Sequence, residues 1–471
     1  MGDVNLFQLI LSILYGLTIV SAILIVIHEN RNPTKALTWI LVLVFLPAIG
    51  LIFFYVFGWD YRIRKNTLYA RKIRSENEHF EKWVENNQAR IPADYQTLSN
   101  LLGNTSFAWV LYGSEVEIID RGKRKFEVLL DDLENANHHI HIMYFLFNND
   151  VIGQQVKEVL MRKASEGIEV RFLYENIANI TVKPKFYYEM RKAGVEVIPF
   201  LNTRHIRLSK VNYRNHRKIV VIDGNIGYIG GMNIGDEYAN DEYWRDTHLR
   251  ITGSGAYGLQ AIFMVDWLSS KGKDVKDKAV YFPTAEIKTD NMLQMIAGGP
   301  STPWPNILQA TVHSIVIAKD YIYLQTPYFL PTESLLQALQ SAALSGVDVR
   351  LMVSKRSDSP YIDPAARSYY EVLLNSGMRI YEHRTKFIHA KTMVSDNYLS
   401  VIGSANMDFR SFEASFEVNC YLYDEKLALR NKEIFLEDME GCNEIIYDEW
   451  IKRPFWKRPI ESFMRLFAPL M

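Results

Sequence analysis

The sequence predicts an α/β protein in which two copies of one unit follow a hydrophobic amino-terminal hairpin. Three observations lead to this fold class. Two uncharged stretches lie within about the first 60 residues, strand-like apolar runs alternate with amphipathic stretches from about residue 106 onward, and the same order of runs returns in the second half of the chain. Strands that alternate with helices are typical of a mixed or mostly parallel sheet.

The composition is that of an ordered protein without a bias towards nucleic acid. Of its 471 residues 48% are hydrophobic, and it has 27 Tyr, 24 Phe and 9 Trp, unlike a disordered chain. At this length we expect two folded units plus appendages. The formal net charge of -1 lacks the basic excess of a general nucleic-acid binder, so no nucleic-acid partner is predicted. The only cysteines, Cys420 and Cys442, have neither disulfide-framework nor zinc-site spacing.

The amino-terminal stretches predict two transmembrane helices, at about residues 6–27 and 36–57. Each stretch is uncharged and long enough to cross a hydrocarbon core of roughly 30 Å. A cleaved signal peptide is the alternative for the first stretch, but no basic residue precedes it and its apolar run is too long. Basic residues are more frequent after the second stretch than in the connecting hairpin, so the remaining chain is predicted to lie on the cytoplasmic side.

The internal repeat sets the predicted domain boundaries. Strand-like runs at residues 138–147 and 168–174, with a glycine-terminated helical stretch between them, recur in the second half at residues 320–330 and 347–353. A polar, charged segment near residues 269–278 separates the copies. The predicted division is a transmembrane hairpin at 1–60, a charged juxtamembrane linker or helix at 61–98, a first domain at 99–275, and a second domain with a basic, aromatic carboxy-terminal segment at 276–471.

One motif occurs twice, in register, within the repeat. The stretch "HRKIVVIDGNIGYIGGMN" in the first half is matched by "HAKTMVSDNYLSVIGSAN" in the second, and each matched pair is 173 residues apart (389 − 216 = 173). A single copy is compatible with an ordinary strand that has a charged start, whereas two copies in register are not a coincidence. The matched pairs are His216 and His389, Lys218 and Lys391, Asp223 and Asp396, Gly230 and Gly403, and Asn233 and Asn406.

The residue types of this motif suit chemistry on a phosphate diester. Residues two apart in a strand point to the same face, so His216 and Lys218 can contact one ligand. Imidazole can act as nucleophile or general acid near neutral pH, and ammonium and amide groups are donors suited to phosphate oxygens. One histidine would attack phosphorus and the other would protonate the leaving oxygen. The motifs hold no cluster of metal ligands, so the prediction is metal-free chemistry without a cofactor.

A carboxylate follows each motif on a neighbouring strand-like stretch. These residues are Asp246 in "WRDTHLRI" and Glu417 in "SFEVNCYL". A carboxylate that accepts the Nδ1 proton of a catalytic histidine fixes its tautomer and stabilises its cationic form. We therefore predict that Asp246 and Glu417 orient the histidines.

The doubled motif resembles the paired HxKxxxxD motifs of the phospholipase D superfamily, each followed by GGxN or GSxN, from about residue 100 to the carboxy terminus. The resemblance implies two similar α/β sandwich domains related by a pseudo-twofold axis, so that both motifs build one site. It implies a covalent phosphohistidine, with His216 as the nucleophile and His389 as the general acid, while the sequence leaves open which histidine is attacked.

The same resemblance assigns roles to the remaining motif residues. In the superfamily the motif aspartates more often hold the local structure than contact the substrate. A hydroxyl role at the GSxN serine belongs to one half only, because the first copy has Gly231 where the second has Ser404. The implied catalytic set is His216, Lys218, Asp223, His389, Lys391 and Asp396, and the implied phosphate-binding set is Asn233, Asn406 and Ser404.

Within the superfamily, the two amino-terminal stretches, "GGMNIGDEY", "TPYF" and "RPFWKRPIESFMRLFAPL" are similar to bacterial cardiolipin synthases. This implies transfer of a phosphatidyl group from one phosphatidylglycerol to another in the cell membrane, with release of glycerol, by a ping-pong mechanism that keeps water from the phosphoenzyme. The implied partners are phosphatidylglycerol, other anionic phospholipids and the membrane. The alternatives are a phospholipase D hydrolase, a phosphatidyltransferase with another alcohol acceptor and, less favoured, a non-catalytic scaffold. The oligomeric state is not predicted.

The carboxy-terminal segment, residues 450–471, interleaves basic residues with aromatic and aliphatic ones. Two interpretations stay open. It lies on a surface of anionic lipid, or it is a helix that docks on the domain with a solvated basic face.

Overall fold

The computed structural model describes residues 6–28, 33–54, 91–106, 108–200, 212–275 and 279–470. Most of the predicted linker at 61–98 therefore lies outside the described residues. The chain divides into two compact units, one of residues 1–61 with 204–213 and a larger one of residues 62–203 with 214–471.

The smaller unit contains three described helices, α1 (Leu6–His28), α2 (Pro33–Phe45) and α3 (Pro47–Phe53). The predicted second stretch is not one continuous helix, because Leu46 between α2 and α3 has the non-helical angles φ -127° and ψ 60°. A proline disfavours helical geometry in the residue before it and lacks the N–H of a helix interior. Among the described residues, no helix is both long enough and apolar enough to cross a membrane.

The strands of the larger unit form two large sheets that share one pattern, and two short two-stranded sheets. In chain order the described strands are β1 (Leu111–Tyr112), β2 (Glu115–Ile119), β3 (His139–Tyr144), β4 (Glu169–Glu175), β5 (Glu196–Phe200), β6 (Arg214–Asn215), β7 (Ile219–Ile222), β8 (Ile226–Gly230), β9 (Trp244–Arg245), β10 (His248–Thr252), β11 (Met292–Gly298), β12 (Tyr321–Gln325), β13 (Phe329–Leu330), β14 (Asp348–Ser354), β15 (Arg379–His383), β16 (Phe387–Ile388), β17 (Thr392–Ser395), β18 (Leu399–Gly403), β19 (Met407–Asp408), β20 (Ser415–Tyr423) and β21 (Cys442–Ile445).

The order of strands confirms the predicted duplication. The first sheet runs β2-β10-β8-β7-β3-β4-β5, and the second runs β1-β11-β20-β18-β17-β12-β14-β15-β21. In the first, β3, β4 and β5 pair in parallel while β7, β8 and β10 pair antiparallel. In the second, β12, β14 and β15 pair in parallel while β17, β18 and β20 pair antiparallel. The two halves are therefore copies of one α/β unit.

The helices of the larger unit connect and cover these strands. The described helices are α4 (Ala93–Ser106), α5 (Gly122–Glu134), α6 (Val151–Ser165), α7 (Pro184–Lys192), α8 (Asp236–Ala239), α9 (Gly255–Ser269), α10 (Asn306–Ile317), α11 (Glu333–Leu344), α12 (Ile362–Arg367), α13 (Tyr370–Asn375), α14 (Phe409–Glu413), α15 (Glu425–Glu440), α16 (Tyr447–Trp450) and α17 (Lys457–Arg465), with short 3₁₀ turns at Ala279–Tyr281 and Ala468–Leu470.

Local chemistry explains the equivalent crossover helices α6 and α11. Asp150 accepts a hydrogen bond from the N–H of Gly153 at the start of α6, and Thr332 caps the start of α11 in the same way. Gly167 and Gly346 follow the two helices with φ values of 95° and 94°. That left-handed conformation favours glycine and ends each helix before the next strand.

The segment before the first sheet packs on the second sheet. Strand β1 pairs antiparallel with β11, and Tyr95, Leu98 and Leu102 of α4 lie in the hydrophobic core of the second half. The division drawn from sequence assigns residues 99–112 to the first domain. The packing differs because the apolar face of α4, repeating every three to four residues, is buried against the second core.

Candidate active site

His216 is held against a carboxylate of the other half. Strand β6 pairs in parallel with β20, and the N–H of His216 donates to the carbonyl of Phe416 at 2.9 Å. This register sets the imidazole of His216 beside Glu417, the residue after Phe416. Nδ1 lies 2.9 and 3.1 Å from the two carboxylate oxygens of Glu417. Nδ1 also lies 3.1 Å from the carbonyl of Ser404. Since all these neighbours are acceptors, Nδ1 carries the proton and Nε2 keeps its lone pair.

His389 has the equivalent environment with the halves exchanged. Strand β16 pairs in parallel with β9, and the N–H of His389 donates to the carbonyl of Arg245 at 2.7 Å. Its Nδ1 lies 2.6 Å from Oδ2 of Asp246, and the other oxygen of that carboxylate accepts from the N–H of Thr247 at 2.7 Å. The ring of Trp244 is 5.1 Å away, so the imidazole is enclosed by apolar surface on that side.

The histidine-carboxylate pairs therefore cross between the halves. The sequence predicts that Asp246 and Glu417 orient the histidines, but it does not say which carboxylate serves which histidine. In the structure each histidine contacts the carboxylate of the opposite half. Neither half alone has an oriented histidine.

One difference between the motif copies, Gly231 against Ser404, follows from the unequal lengths of the two carboxylate side chains. A Cβ atom at Gly231 would lie 2.1 Å from Oδ1 of Asp246, so glycine is needed there. At the equivalent position Ser404 is fully buried, and its hydroxyl donates to Oε2 of Glu417 at 2.5 Å and accepts from the N–H of Val418 at 3.0 Å. In this arrangement the hydroxyl proton of Ser404 is donated to Glu417, and its role in phosphate binding stays a prediction.

Lys218 and Lys391 are buried beside the histidines. Each Nζ donates to the carbonyl of the histidine two residues earlier, at 2.6 Å in the case of Lys218. Burial lowers the pKa of Lys218 to about 7 and that of Lys391 to about 8, because a poorly solvated ammonium group is disfavoured, and Asp246 and Glu417 offset part of this effect. The positive charge of Lys391 further lowers the pKa of Lys218, so the two ammonium groups act on a shared region.

Burial also lowers the pKa of both histidines. The pKa of His389 falls to about 3, with Lys391 adding to the effect of burial and Asp246 opposing it. The pKa of His216 falls as well, where Glu417 opposes burial. Both imidazoles are thus neutral at neutral pH in the protein alone. A phosphate anion would offset the lysine charges and raise both values.

The motif asparagines are buried and partly engaged by the protein. Oδ1 of Asn233 accepts from the N–H of Leu146 at 3.2 Å, and its amide nitrogen donates one hydrogen to Tyr238 at 2.7 Å, which leaves the second amide hydrogen. The side chain of Asn406 forms a hydrogen bond with the carboxylate of Asp408 and lowers its pKa. Burial has the larger effect and raises the pKa of Asp408 to about 6. Within the described ranges, no three His, Cys, Asp or Glu side chains are grouped as ligands of a metal ion.

The motif aspartates lie at the opposite end of the strand from the histidines. Asp223 and Asp396 have positive φ values of 53° and 50° at the turns after β7 and β17. Their carboxylates accept hydrogen bonds at 2.8–3.1 Å from the backbone N–H groups of Asn137, His138 and His139 and of Lys319, Asp320 and Tyr321 respectively. They tie each hairpin to the start of a central strand, which corrects their inclusion in the catalytic set.

We expect Asp223→Ala to destabilise the protein without impairing the chemistry. Loss of three hydrogen bonds to a carboxylate should lower the free energy of unfolding by about 3 kcal/mol, since single bonds to charged groups contribute roughly 1.5–3 kcal/mol and neighbouring bonds are not additive. Urea unfolding of the full chain measures this change. Asp223→Asn is the control, because it keeps one acceptor and tolerates a positive φ. A loss of activity per folded molecule would return Asp223 to the catalytic set.

Two buried arginines beside the catalytic strands escaped the sequence interpretation. Arg217 donates to the carbonyl of Glu417 at 3.0 Å and to Asp266 at 2.5 Å, and Arg245 donates to the carbonyl of Asp246 at 2.6 Å. Both fix the backbone that carries a histidine-orienting carboxylate. For Arg217 the available signal was the strand period, which points it to the face opposite His216 and Lys218, where burial requires a partner.

Two family models match the chain. A model described as "Cardiolipin synthase, PLD-like domain" matches residues 129–262 and 312–439, which together are more than half of the chain. A second, described as phospholipase D-nuclease N-terminal, matches residues 16–59. The first match covers both motifs and the central strands of both sheets.

Comparison with curated proteins gives relatives of similar length. The chain is 38% identical to a cardiolipin synthase of Halalkalibacterium halodurans, over 98% of this chain and 93% of that protein. It is 40% identical to one of Geobacillus thermodenitrificans, over 98% and 94%, and 36% identical to one of Listeria monocytogenes, over 99% and 100%.

Solved structures share the fold. A phosphatidylserine synthase of Haemophilus influenzae superposes with a TM-score of 0.59 at 15% identity, covering 80% of this chain and 97% of that one. A polyphosphate kinase of Porphyromonas gingivalis gives 0.51 at 11% identity, covering 76% and 53%. At these identities the likeness concerns the fold alone.

Proposed function

The chain belongs to the cardiolipin synthase family of phospholipase D-like proteins, and we propose that it transfers the phosphatidyl group of one phosphatidylglycerol to a hydroxyl group of another, giving cardiolipin and glycerol. It is a phosphatidyltransferase. The observation that carries the proposal is the crossed pairing of His216 with Glu417 and of His389 with Asp246. Two oriented imidazoles in one site supply the nucleophile and the proton carrier that a two-step transfer needs.

In the first proposed step Nε2 of His216 attacks phosphorus, and the bond from phosphorus to the glycerol oxygen breaks. His389, protonated once the bound phosphate offsets the lysine charges, gives its proton to that oxygen. Glu417 stabilises the positive charge that His216 acquires. The phosphate oxygens are bound by Lys218, Lys391, Asn233 and Asn406.

In the second proposed step a hydroxyl of the acceptor phosphatidylglycerol attacks the phosphohistidine. Neutral His389 takes the hydroxyl proton, the bond between Nε2 and phosphorus breaks, and both histidines return to their starting states. Asp246 keeps Nδ1 of His389 protonated, so that Nε2 exchanges the proton in both steps. An alternative assignment exchanges the roles of the two histidines. The lowered pKa of His389, about 3, favours this alternative, because it keeps the imidazole neutral and nucleophilic. The family resemblance favours His216 as the nucleophile.

We further propose that residues 6–27 and 36–57 anchor the enzyme in the cell membrane as a multi-pass protein with both catalytic halves on the cytoplasmic side. The uncharged composition of these stretches and the match of residues 16–59 to an amino-terminal family model support the anchor. The substrates are then phosphatidylglycerol and related anionic phospholipids in that membrane.

We expect the purified full chain, given vesicles with phosphatidylglycerol as the only phospholipid, to form cardiolipin and glycerol in equal amounts. No nucleotide-activated lipid is needed, because the diester bond of the donor is exchanged for that of the product. Thin-layer chromatography and an enzymatic glycerol assay measure both products. Phosphatidic acid without cardiolipin would identify a hydrolase and contradict the proposal, and phosphatidylcholine vesicles are the control.

A further inference from the structure

The carboxy-terminal segment docks on the second half through its charged residues. Glu461 of α17 is buried and accepts from Arg453 at 3.0 Å, and Arg453 also pairs with Glu371 at 3.3 Å. The guanidinium of Arg465 lies 4.3 Å from the ring centre of Tyr369. The inward face of this segment is thus held by ion pairs and a cation–π contact, together with Met464 and Ala468, which pack with the hydrophobic core of the second half.

The outward face of the same segment is apolar. The side chain of Phe455 is 85% exposed, and the ring of Phe463 packs edge-on against Phe467 at 5.3 Å. The apolar residues at positions 456, 460, 463 and 467 are separated by three or four residues, the spacing that places side chains on one face of a helix. We call this surface the C-terminal apolar face, and its members are Phe455, Trp456, Ile460, Phe463, Leu466 and Phe467, all among the exposed large hydrophobic residues.

This arrangement differs from that of an ordinary helix on a water-soluble surface in the large aromatic rings that it leaves exposed. Such a helix buries its apolar stripe and exposes its charges, whereas here Glu461 and Arg453 face the protein and the aromatic rings face outward. Contiguous exposed apolar surface marks an interaction site. Exposed Lys452 and Lys457 lie in the same segment and give it a cationic rim, whereas Arg458 pairs with Glu371 at 3.5 Å.

We propose that the C-terminal apolar face inserts into the interface of a bilayer containing anionic phospholipid, with its basic residues at the headgroups. Aromatic residues prefer this depth, and apolar burial together with attraction to anionic lipid is how interfacial helices bind. A second copy of the chain is disfavoured as the occupant, because it would bring two basic rims together. Only the choice of phosphatidylglycerol as the anionic lipid rests on the proposed function.

The test uses the tryptophan fluorescence of the full chain in nanodiscs that contain phosphatidylglycerol and phosphatidylcholine with brominated acyl chains. Subtracting the spectrum of Trp456→Phe from that of the wild type isolates Trp456. Trp304→Phe isolates a residue of matched exposure outside the face, since the two side chains are 54% and 56% exposed. We expect the brominated lipid to quench the Trp456 difference spectrum and to leave that of Trp304 unquenched.

Further variants identify the lipid charge and the competing occupant. With Lys452→Gln and Lys457→Gln combined, quenching of Trp456 should lose its dependence on phosphatidylglycerol. Absence of quenching at Trp456 overturns the proposal. A dimer in detergent that Phe463→Ser dissociates also overturns it, because the C-terminal apolar face would then bind a second copy of the chain. Cardiolipin formation is measured in the same nanodiscs. Quenching without cardiolipin rejects the proposed function alone, and cardiolipin without quenching rejects the docking alone.

Discussion

His216→Ala should abolish phosphatidyl transfer, with a fall in kcat of about 10⁴-fold or more, because it removes the proposed nucleophile that forms the covalent intermediate. The side chain is held by the carbonyl of Ser404 and by Glu417, and its neutral imidazole presents Nε2 as the nucleophile. Cardiolipin formation from phosphatidylglycerol by the folded variant measures the effect. His313→Ala, at a partly buried histidine within 3.0 Å of Thr97, is the matched control and should keep full activity.

The two histidines are distinguished by a donor that does not need a general acid. In an analogue of phosphatidylglycerol with p-nitrophenol in place of glycerol, the leaving group departs as an anion. His389→Ala should then release a burst of one p-nitrophenolate per enzyme and accumulate phosphohistidine, because the base for the second step is missing. His216→Ala should give no burst. A burst from His216→Ala, with none from His389→Ala, would exchange the two assignments.

The sequence predicts the parts of this site that depend on the repeat. Strand period places each lysine beside its histidine, and the constant offset identifies the second copy of every motif residue. Copying an α/β unit repeats its strand order, so the fold of both halves follows from one pattern. The glycines after α6 and α11 were readable for the same reason, since a positive φ is a local requirement.

The crossed pairing was not readable, because it depends on contacts between distant segments. His216 and Glu417 are 201 residues apart and meet only through the two-residue strand β6 beside β20. Strands so short have no hydrophobic period. The position of Ser404 behind Glu417 likewise depends on which side chain fills a buried space, and the hydrogen bonds of Asp223 join segments 84–86 residues apart.

Glu417→Gln and Asp246→Asn should each reduce cardiolipin formation by about 10³- to 10⁴-fold, the effect expected when an orienting carboxylate is lost. The nitrophenyl donor separates them. Glu417→Gln should suppress the burst, because it deprives the nucleophile of its partner. Asp246→Asn should keep the burst and stall afterwards, because it acts on the proton carrier. Pairing within each half would give the reverse result.

The pH dependence of kcat/KM gives a second readout of the crossed pairs. Glu417 raises the pKa of Lys218, which is about 7, so Glu417→Gln should lower it further and the ammonium charge should be lost at a lower pH. The high-pH limb of kcat/KM, which reports groups of the free enzyme, should therefore move to lower pH. Ser404→Ala is the matched control: it removes the hydrogen bond to Glu417 but leaves the charge, so activity should fall about 10- to 100-fold with a smaller shift of this limb. An unshifted limb in Glu417→Gln would mean that Glu417 does not act on the lysine of the opposite half.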